Sequence, residues 1–373
     1  MSDAGGAARR SQWIDASKGI GLLCVITVHS MIPDINPVTI HLSSFTIPLF
    51  FILAGLTYNS DAHRYDLRHF VMSRGRQYLI PYFMLYLLTL VLFSLLQPYV
   101  ATYLTPDQLL FWFFYGSGPP DAATHLWFLP VMYFGLVLFA LIDRLTAHLP
   151  TASRIPFLFL LPFLASVVEA TLSLQGSLVP WHLNAVLIST TFSLIGNQLR
   201  RLNGLNEWSI GSAARDLALA SAGTMVLLLL SSVNGFTDIA VDNTGASVWL
   251  YMVNGTMGSA IVFTVAGHVA RSGGRVRGSL VSLGNYSQEV YEIHPIMFYL
   301  VPVSLVLLGW TSTQIAACHS IFWPLRLVIG TGVSFLAAKK VISRHRITRL
   351  MFRGSTAERK PPLPSTRPTG SQS

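Results

Sequence analysis

The stretch WIDASKGIGLLCVITVHS, residues 13–30, is apolar enough for a membrane helix yet carries three ionisable groups, Asp15, Lys18 and His29. Lys18 and His29 are eleven residues apart, about three helical turns, so their side chains project within about 20° of each other. Asp15 precedes Lys18 by three residues and lies near the same stripe. Ionisable groups at membrane depth usually face a partner or a wet cavity. The stripe is therefore a candidate functional site.

The composition of the whole chain agrees with a membrane protein. Apolar residues make up 52% of the sequence and charged residues 11%, and the mean hydropathy is +0.53. A soluble domain carries roughly 25% charged residues. Ten runs are long enough to cross about 30 Å of hydrocarbon; they span residues 17–33, 44–60, 78–97, 126–147, 155–172, 182–199, 214–233, 247–270, 286–309 and 314–338. The predicted fold is all-α, a polytopic membrane protein with about ten transmembrane helices.

The distribution of Lys and Arg predicts how these helices are oriented. Alternate loops carry the cations, as the positive-inside rule requires, and the loops between them carry none. The inward segments hold Arg9 and Arg10, then Arg64, Arg68, Arg74 and Arg76, then Arg144 and Arg154, then Arg200, Arg201 and Arg215, then Arg271, Arg275 and Arg277, and finally the cations from Lys339 onward. Lys18 and Arg326 lie within predicted helices. An even number of helices with both termini cytoplasmic is expected.

The net charge of +9 belongs to short loops beside the membrane rather than to one folded face. It indicates contact with anionic lipid and no nucleic-acid partner. Residues 1–12 are expected to be a cytoplasmic segment, 13–342 a membrane domain, and 343–373 a basic, Pro- and Ser-rich disordered cytoplasmic tail. The longest outward loop, residues 97–124, contains an aromatic run too short to span, which we expect to lie in the interface or fold back.

Further polar residues at membrane depth suggest a cavity. Glu292 and His294 lie early in the ninth predicted helix and Arg326 near the middle of the tenth, at depths that allow a Glu292–Arg326 ion pair, which could equally be structural. His125 and Trp127 sit at an outward helix mouth, where an aromatic belt is the simpler explanation. His41 and His125 are too far apart in sequence to indicate a metal site.

The first helix and the start of the third suggest two kinds of chemistry. A buried histidine beside a cation can serve as a general base near neutral pH, although a lone one is more often a packing residue. Arg74 and Arg76 precede the third predicted helix on the inward side. Guanidinium groups bind phosphate oxygens in two-point contacts, but topology alone also explains these two. Lys18 could simply extend to the headgroups.

Five motifs in order resemble the integral-membrane acyltransferase-3 family, and more closely its branch of fucose 4-O-acetylase-like and exopolysaccharide acetyltransferases. They are the Lys18–His29 spacing, FTIPLFFILAG at residues 45–55, LIPY at 79–82, HLWFL at 125–129 and YEIHP at 291–295. The chain departs from the family at two points. Relatives often have two arginines three apart where this chain has Arg74 and Gln77, and a Ser-Gly pair where it has Ala54-Gly55.

The resemblance implies O-acylation of a sugar by a multi-pass enzyme of the bacterial inner membrane, with cytoplasmic acetyl-CoA as donor and no metal. It implies that His29 is the general base or a transient acyl carrier. Donor binding would fall to Lys18, Arg74 and Arg76, with Asp15 orienting Lys18. The same comparison implies a cavity for the carbohydrate or lipid-linked glycan acceptor, lined by His125, Trp127, Glu292, His294 and Arg326.

Two other functions remain open from the sequence. Buried charges also form the proton or substrate path of a secondary transporter. A catalytically silent relative could instead help to assemble a polysaccharide-export machine, although retention of Lys18 and His29 argues against that. The identity of the acceptor, the length of the acyl group and the oligomeric state are left open.

Overall fold

The computed structural model describes residues 11–96, 105–117, 124–173, 178–203, 212–272 and 274–358, and in these ranges the regular structure is helical, without a β-strand. The all-α prediction is confirmed. The α-helices, in chain order, are α1 (Gln12–Met31), α2 (Pro37–Thr57), α3 (Ser60–Tyr65), α4 (Leu67–Leu96), α5 (Pro106–Tyr115), α6 (Phe128–Leu145), α7 (Ile155–Ser173), α8 (Leu183–Asn203), α9 (Ala213–Asn234), α10 (Val248–Ser272), α11 (Gly274–Asn285), α12 (Ser287–Phe298), α13 (Leu300–Leu307), α14 (Ser312–Ala317), α15 (Trp323–Ala337) and α16 (Arg346–Arg353).

Nine helical segments in the described part are long and apolar enough to cross a membrane. They correspond to nine of the ten predicted runs. The remaining run is α8, whose 21 residues are sufficient in length, but whose polar side chains keep its composition below that of a typical span. The protein is thus a polytopic membrane protein, and α8, predicted as the run 182–199, is the predicted helix with the most polar composition.

Helix α8 is polar because protein, rather than lipid, surrounds it. It packs against α2, α6 and α7, and its Ser189, Thr190, Thr191 and Ser193 are buried. The Thr190 hydroxyl donates to the Val186 carbonyl at 2.8 Å and that of Thr191 to the Leu187 carbonyl at 3.0 Å. Hydroxyls satisfied within their own helix add little cost to burial. By contrast, α7 and α9 leave large apolar side chains such as Phe159, Leu217 and Leu229 exposed, as lipid-facing helices do.

Glycines allow the helices that carry the candidate site to approach closely. An added Cβ at Gly284 of α11 would overlap the Asp15 carbonyl oxygen of α1, and one at Gly55 of α2 would overlap the Ser193 carbonyl oxygen of α8. Small residues at such crossings are the usual basis of helix packing in membranes. They hold α1 and α2 in the centre of the bundle.

Segments predicted to share one side of the membrane meet in the structure. Asp143, at the end of α6, is fully buried and accepts from Arg64 of α3 at 2.8 Å, from Arg154 before α7 at 2.6 Å and from Arg201 of α8 at 3.4 Å. A carboxylate bonded to three guanidinium groups holds these three segments together at one end of the bundle. We call this end, which also carries α11 and α16, the basic end.

One region differs from the sequence expectations, and another agrees with them. Residues 346–353, inside the segment predicted to be a disordered tail, form helix α16, whose Arg349 and Phe352 are buried. Apolar residues at helical spacing allow this basic segment to pack against the protein. Its overall composition, which is basic and rich in Pro and Ser, did not indicate a helix. The predicted outward loop contains the ten-residue helix α5, too short to span; the flanking residues 97–104 and 118–123 lie outside the described ranges, as do 1–10 and 359–373.

Candidate functional site

A cavity of about 580 Å³ lies in the half of the bundle away from the basic end. His29 of α1 lines it, together with His125 and Trp127 from the turn before α6 and Arg326 of α15. The loop between α9 and α10 closes one side with Asp238, and burial raises the pKa of this carboxyl group above its usual range. We call this space the large cavity.

A second cavity, of about 290 Å³, opens the bundle from the basic end. Lys18 of α1, Arg74 and Gln77 of α4 and Gln288 of α12 supply its polar lining. Phe50, Leu53 and Met132 are among its apolar lining residues. We call it the small cavity. Cations at the mouth and apolar walls beyond suit a long ligand with an anionic head.

The two cavities are neighbours, because Ile47 of α2 and Tyr291 of α12 belong to the walls of both. Helix α1 contributes Lys18 to one cavity and His29 to the other. The sequence predicted that these residues share a face at different depths. In the structure that difference in depth assigns them to different cavities.

His29 is held by a second histidine. Its Nδ1 lies 2.8 Å from Nε2 of His294, and Nδ1 of His294 lies 2.7 Å from the Tyr291 carbonyl oxygen. A carbonyl only accepts, so His294 donates from Nδ1, and its Nε2, in the neutral ring, must accept from His29. His29 therefore carries its proton on Nδ1. The lone pair on its Nε2, for which the structure gives no bond to any described residue, is free to accept a proton.

A second chain of hydrogen bonds positions His125 beside this pair. His125 donates from Nε2 to the Glu292 carbonyl oxygen at 3.1 Å, and the hydroxyl of Tyr291 donates to the His125 carbonyl oxygen. Tyr291, which lines both cavities, is thus hydrogen-bonded both to His294, the partner of His29, and to His125. Its backbone orients His294, while its side chain orients the turn that carries His125.

The predicted Glu292–Arg326 ion pair is not formed. Glu292 is buried away from both cavities and accepts from the side-chain amide of Gln288 at 3.0 Å. Arg326 instead donates to the carbonyl oxygens of Ser30 and His319. The estimate of equal depth placed both groups at a similar level, but α12 turns the Glu292 side chain toward the basic end while α15 turns Arg326 toward α1.

Lys18, Arg74 and Arg76, the cations expected to bind the donor, are only partly brought together. Lys18 Nζ lies 3.8 Å from an Asp15 carboxylate oxygen, as expected of a residue that orients it. Arg74 donates to the amide oxygen of Gln77 at 2.5 Å and lies over the Phe70 ring. Arg76 is exposed and lines neither cavity. Gln77, where relatives often have the second arginine, occupies the cavity position instead.

Gln288 is a functional candidate that the sequence analysis did not identify. Its amide nitrogen, which carries two N–H donors, lies 3.2 Å from the Gln77 carbonyl oxygen, 3.1 Å from the Phe352 carbonyl oxygen of α16 and 3.0 Å from a Glu292 carboxylate oxygen, so these acceptors share its two hydrogens. Tyr291 and Asp238 were likewise not predicted as site residues. Tyr291 stood inside the YEIHP motif, where its position beside Glu292 was a usable signal. Asp238 offered none, because acidic loop residues are common.

No group of three His, Cys, Asp or Glu residues in the described part of the chain is arranged to hold a metal ion. The described residues that line the large cavity instead include the imidazoles of His29, His125 and His319, the carboxyl group of Asp238 and the guanidinium of Arg326. Together they offer a proton acceptor, hydrogen-bond partners for hydroxyls and a positive charge.

Comparison with known proteins gives a family for the chain. A family model described as an acyltransferase domain matches residues 11–338, which include both cavities and both histidines of the pair. No curated protein and no solved structure matches the chain.

Proposed function

Since the chain belongs to this acyltransferase family, we propose that it is a membrane O-acyltransferase that moves an acetyl group from acetyl-CoA to a hydroxyl group of a carbohydrate. The observation that carries the proposal is the free Nε2 of His29, oriented by His294 beside the wall that the two cavities share. Its position allows a base to meet a donor and an acceptor that enter from opposite ends of the bundle.

The small cavity suits the donor. Lys18 and Arg74 supply cations for phosphate oxygens at its mouth, and Gln77 supplies an amide where a second guanidinium would be expected. The apolar walls beyond accommodate the pantetheine arm and direct the thioester toward Ile47 and Tyr291. Acetyl-CoA would be supplied by the cytoplasm, so the basic end and both termini would be cytoplasmic in a bacterial inner membrane.

The large cavity suits the acceptor. Trp127 and Tyr251 offer aromatic surfaces, and Asp238 offers a hydrogen-bond acceptor for sugar hydroxyls. A carbohydrate, free or linked to a lipid, could approach from the side opposite the donor. Acetyl transfer would then take place at the border between the two cavities.

The reaction follows from the tautomer of His29. Nε2 removes the proton from the acceptor hydroxyl as its oxygen attacks the thioester carbonyl carbon, and a C–O bond forms. Collapse of the tetrahedral intermediate breaks the C–S bond, and the leaving thiolate takes up the proton from His29. General-base catalysis of this kind contributes roughly 10²–10⁴-fold to a rate. The same lone pair would attack the thioester directly if His29 were a transient acyl carrier.

Substitution of His29 tests the proposal. His29→Ala, reconstituted in lipid nanodiscs, is expected to lose acceptor-dependent release of the CoA thiol and to leave a surface glycan unacetylated in producing cells. His41→Ala is the matched control, because His41 is also partly buried and bonded, at 2.8 Å to the Ser231 hydroxyl, but lines neither cavity. Equal activity of the two variants would contradict the assignment.

Two further measurements separate the alternatives. A burst of thiol release without acceptor, with acetyl retained on the protein, would identify His29 as an acyl carrier rather than a base. Accumulation of a glycan inside vesicles without covalent change would indicate a transporter instead.

A further inference from the structure

Arg326 is a buried cation in the wall of the large cavity. Its side chain belongs to α15, and the residue is only 6% exposed. Nε donates to the Ser30 carbonyl at 2.8 Å, Nη1 donates to the His319 carbonyl at 3.0 Å, and Nη2 donates to the Ser30 carbonyl and lies 3.3 Å from Nδ1 of His319. Each of these partners is a neutral acceptor.

The charge of Arg326 is therefore not compensated locally. No carboxylate of the described residues lies within 4.0 Å of its guanidinium, and Asp34 attracts it only from beyond that distance. Elsewhere the chain pairs its buried arginines: Arg154 with Asp143 and Arg349 with Glu358. A buried charge without an ion-pair partner costs folding free energy unless an anionic ligand compensates it.

The hydrogen bonds of Arg326 fix its orientation. A guanidinium has five N–H donors, and the contacts above occupy four of them, which leaves one on Nη1. Two of the four bonds hold the guanidinium against the end of α1 at Ser30, and the other two hold it against the turn that carries His319. The cation is thus preorganised, and its free donor and its charge remain available to the cavity.

We propose that Arg326 is an anion subsite of the acceptor cavity, which selects acceptors that carry a carboxylate or phosphate group beside the hydroxyl to be acetylated. The inference rests on the proposed function and adds the substrate class: an acidic sugar, such as a uronic acid unit, or a sugar phosphate. Arg326 is bonded to the carbonyl of Ser30, the residue after His29. An anion held there would place a hydroxyl of the same sugar unit near Nε2 of His29.

Asp238 occupies a different part of the same cavity wall, on the loop between α9 and α10. Its carboxyl group accepts from the Ala240 N–H at 3.0 Å, and among the described residues it forms no ion pair with Arg326. A cation and a carboxyl group in separate positions allow one ligand to place its anionic group at Arg326 and its hydroxyls at Asp238. The arrangement therefore favours an acidic polyol over a neutral sugar.

A structural role for Arg326, as a link between α1 and α15, makes a different prediction. In that case substitution would lower thermal stability and the rates for all acceptors alike. A change in the ratio between charged and neutral acceptors would not follow.

The test uses three probe acceptors that share a ring and most hydroxyls: methyl glucoside, methyl glucuronide and glucose 1-phosphate. The wild-type protein in nanodiscs, with acetyl-CoA, is expected to show a kcat/KM for an anionic probe at least about tenfold above that for methyl glucoside. In Arg326→Gln this ratio should fall toward one, chiefly through KM, and Arg326→Lys should retain part of it. The two anionic probes distinguish a carboxylate from a phosphate.

Binding is measured in parallel, so that the inference does not depend on turnover. Either anionic probe should raise the Tm of the wild-type protein and not that of Arg326→Gln. The same kcat/KM ratio in wild type and variant, or no Arg326-dependent shift in Tm, overturns the subsite. Arg326-dependent binding without transfer to any probe would instead leave the subsite standing and contradict the acyltransferase assignment for these sugars.

Discussion

The hydrogen bond between His29 and His294 determines which ring nitrogen of His29 carries its proton. Because the Tyr291 carbonyl fixes the tautomer of His294, the tautomer of His29 follows from the 2.8 Å contact between the rings. The proton acceptor of the site is then Nε2 of His29, a residue that lines the large cavity. His294 lines neither cavity, so it acts through His29 and is a positioning residue.

Substitution of His294 should therefore affect turnover more than donor binding. In His294→Ala, Nδ1 of His29 loses its acceptor and the ring its orientation, so we expect kcat to fall by about 10²-fold with little change in the KM for acetyl-CoA. In His294→Gln the amide oxygen can still accept from His29, so part of the rate should return. Steady-state kinetics and thermal unfolding of both variants check this. Equal losses in Ala and Gln variants of unchanged stability would contradict a positioning role.

The sequence identified His29 but could not identify its partner. Eleven residues separate His29 from Lys18 on one helix, so helical periodicity relates them directly. His294 is distant in sequence, and only the packing of α12 against α1 brings it close. The predicted Glu292–Arg326 ion pair was wrong because it also depended on how helices pack. Depth along each helix can be estimated from the sequence, but the rotation of a helix about its axis cannot.

At the level of elements, α16 supports the small cavity, the proposed donor site. Its Phe352 carbonyl accepts from Gln288, and its Arg353 donates to Glu289, which is fully buried. Both partners are on α12, and Gln288 lines the small cavity. Helix α16 lies beyond residues 11–338, the part matched by the family. It supports the wall of the small cavity from outside the matched residues.

Removal of α16 should weaken donor binding. A chain that ends at His345 leaves Gln288 without one of its acceptors and Glu289 without its cation, so we expect the KM for acetyl-CoA to rise severalfold, about 1 kcal/mol in binding. Titration of acetyl-CoA against the initial rate measures this. A chain that ends at Glu358 retains all these contacts and is the matched control. Identical KM values for the two truncated chains would exclude a role for α16 in the donor site.

The helices themselves were largely predictable, and the exceptions have physical reasons. Apolar runs and alternating basic loops specify lipid-facing helices such as α7 and α9, because lipid selects composition directly. Helix α8 was predicted as the run 182–199, and its more polar composition agrees with its protein surroundings, where hydroxyls can be satisfied. Helix α16 was hidden in a basic segment because a stretch of eight residues gives too little periodicity to be detected.

At the scale of the whole molecule, the two cavities lie toward opposite ends of the bundle, so the proposed reaction requires a defined orientation of the protein in the membrane. The contacts of Asp143 show that segments from α3, α7 and α8 meet at one end, and the small cavity opens from that end. Which side of the membrane this is follows from the positive-inside rule, which predicts the cytoplasm. An acceptor bound in the large cavity would then be modified from the opposite side.

Labelling with a membrane-impermeant maleimide tests this orientation. After Cys24 and Cys318 are replaced by alanine, single cysteines are introduced as Ser355→Cys, exposed just after α16, and Val241→Cys, which is 48% exposed at the large cavity. In intact spheroplasts Val241→Cys should react, and Ser355→Cys should react only after the membrane is permeabilised, because charged reagents do not cross hydrocarbon. The reverse pattern would place the basic end outside and would require the donor to bind there. Reaction of both cysteines in intact cells would contradict an arrangement in which the two cavities open to opposite sides.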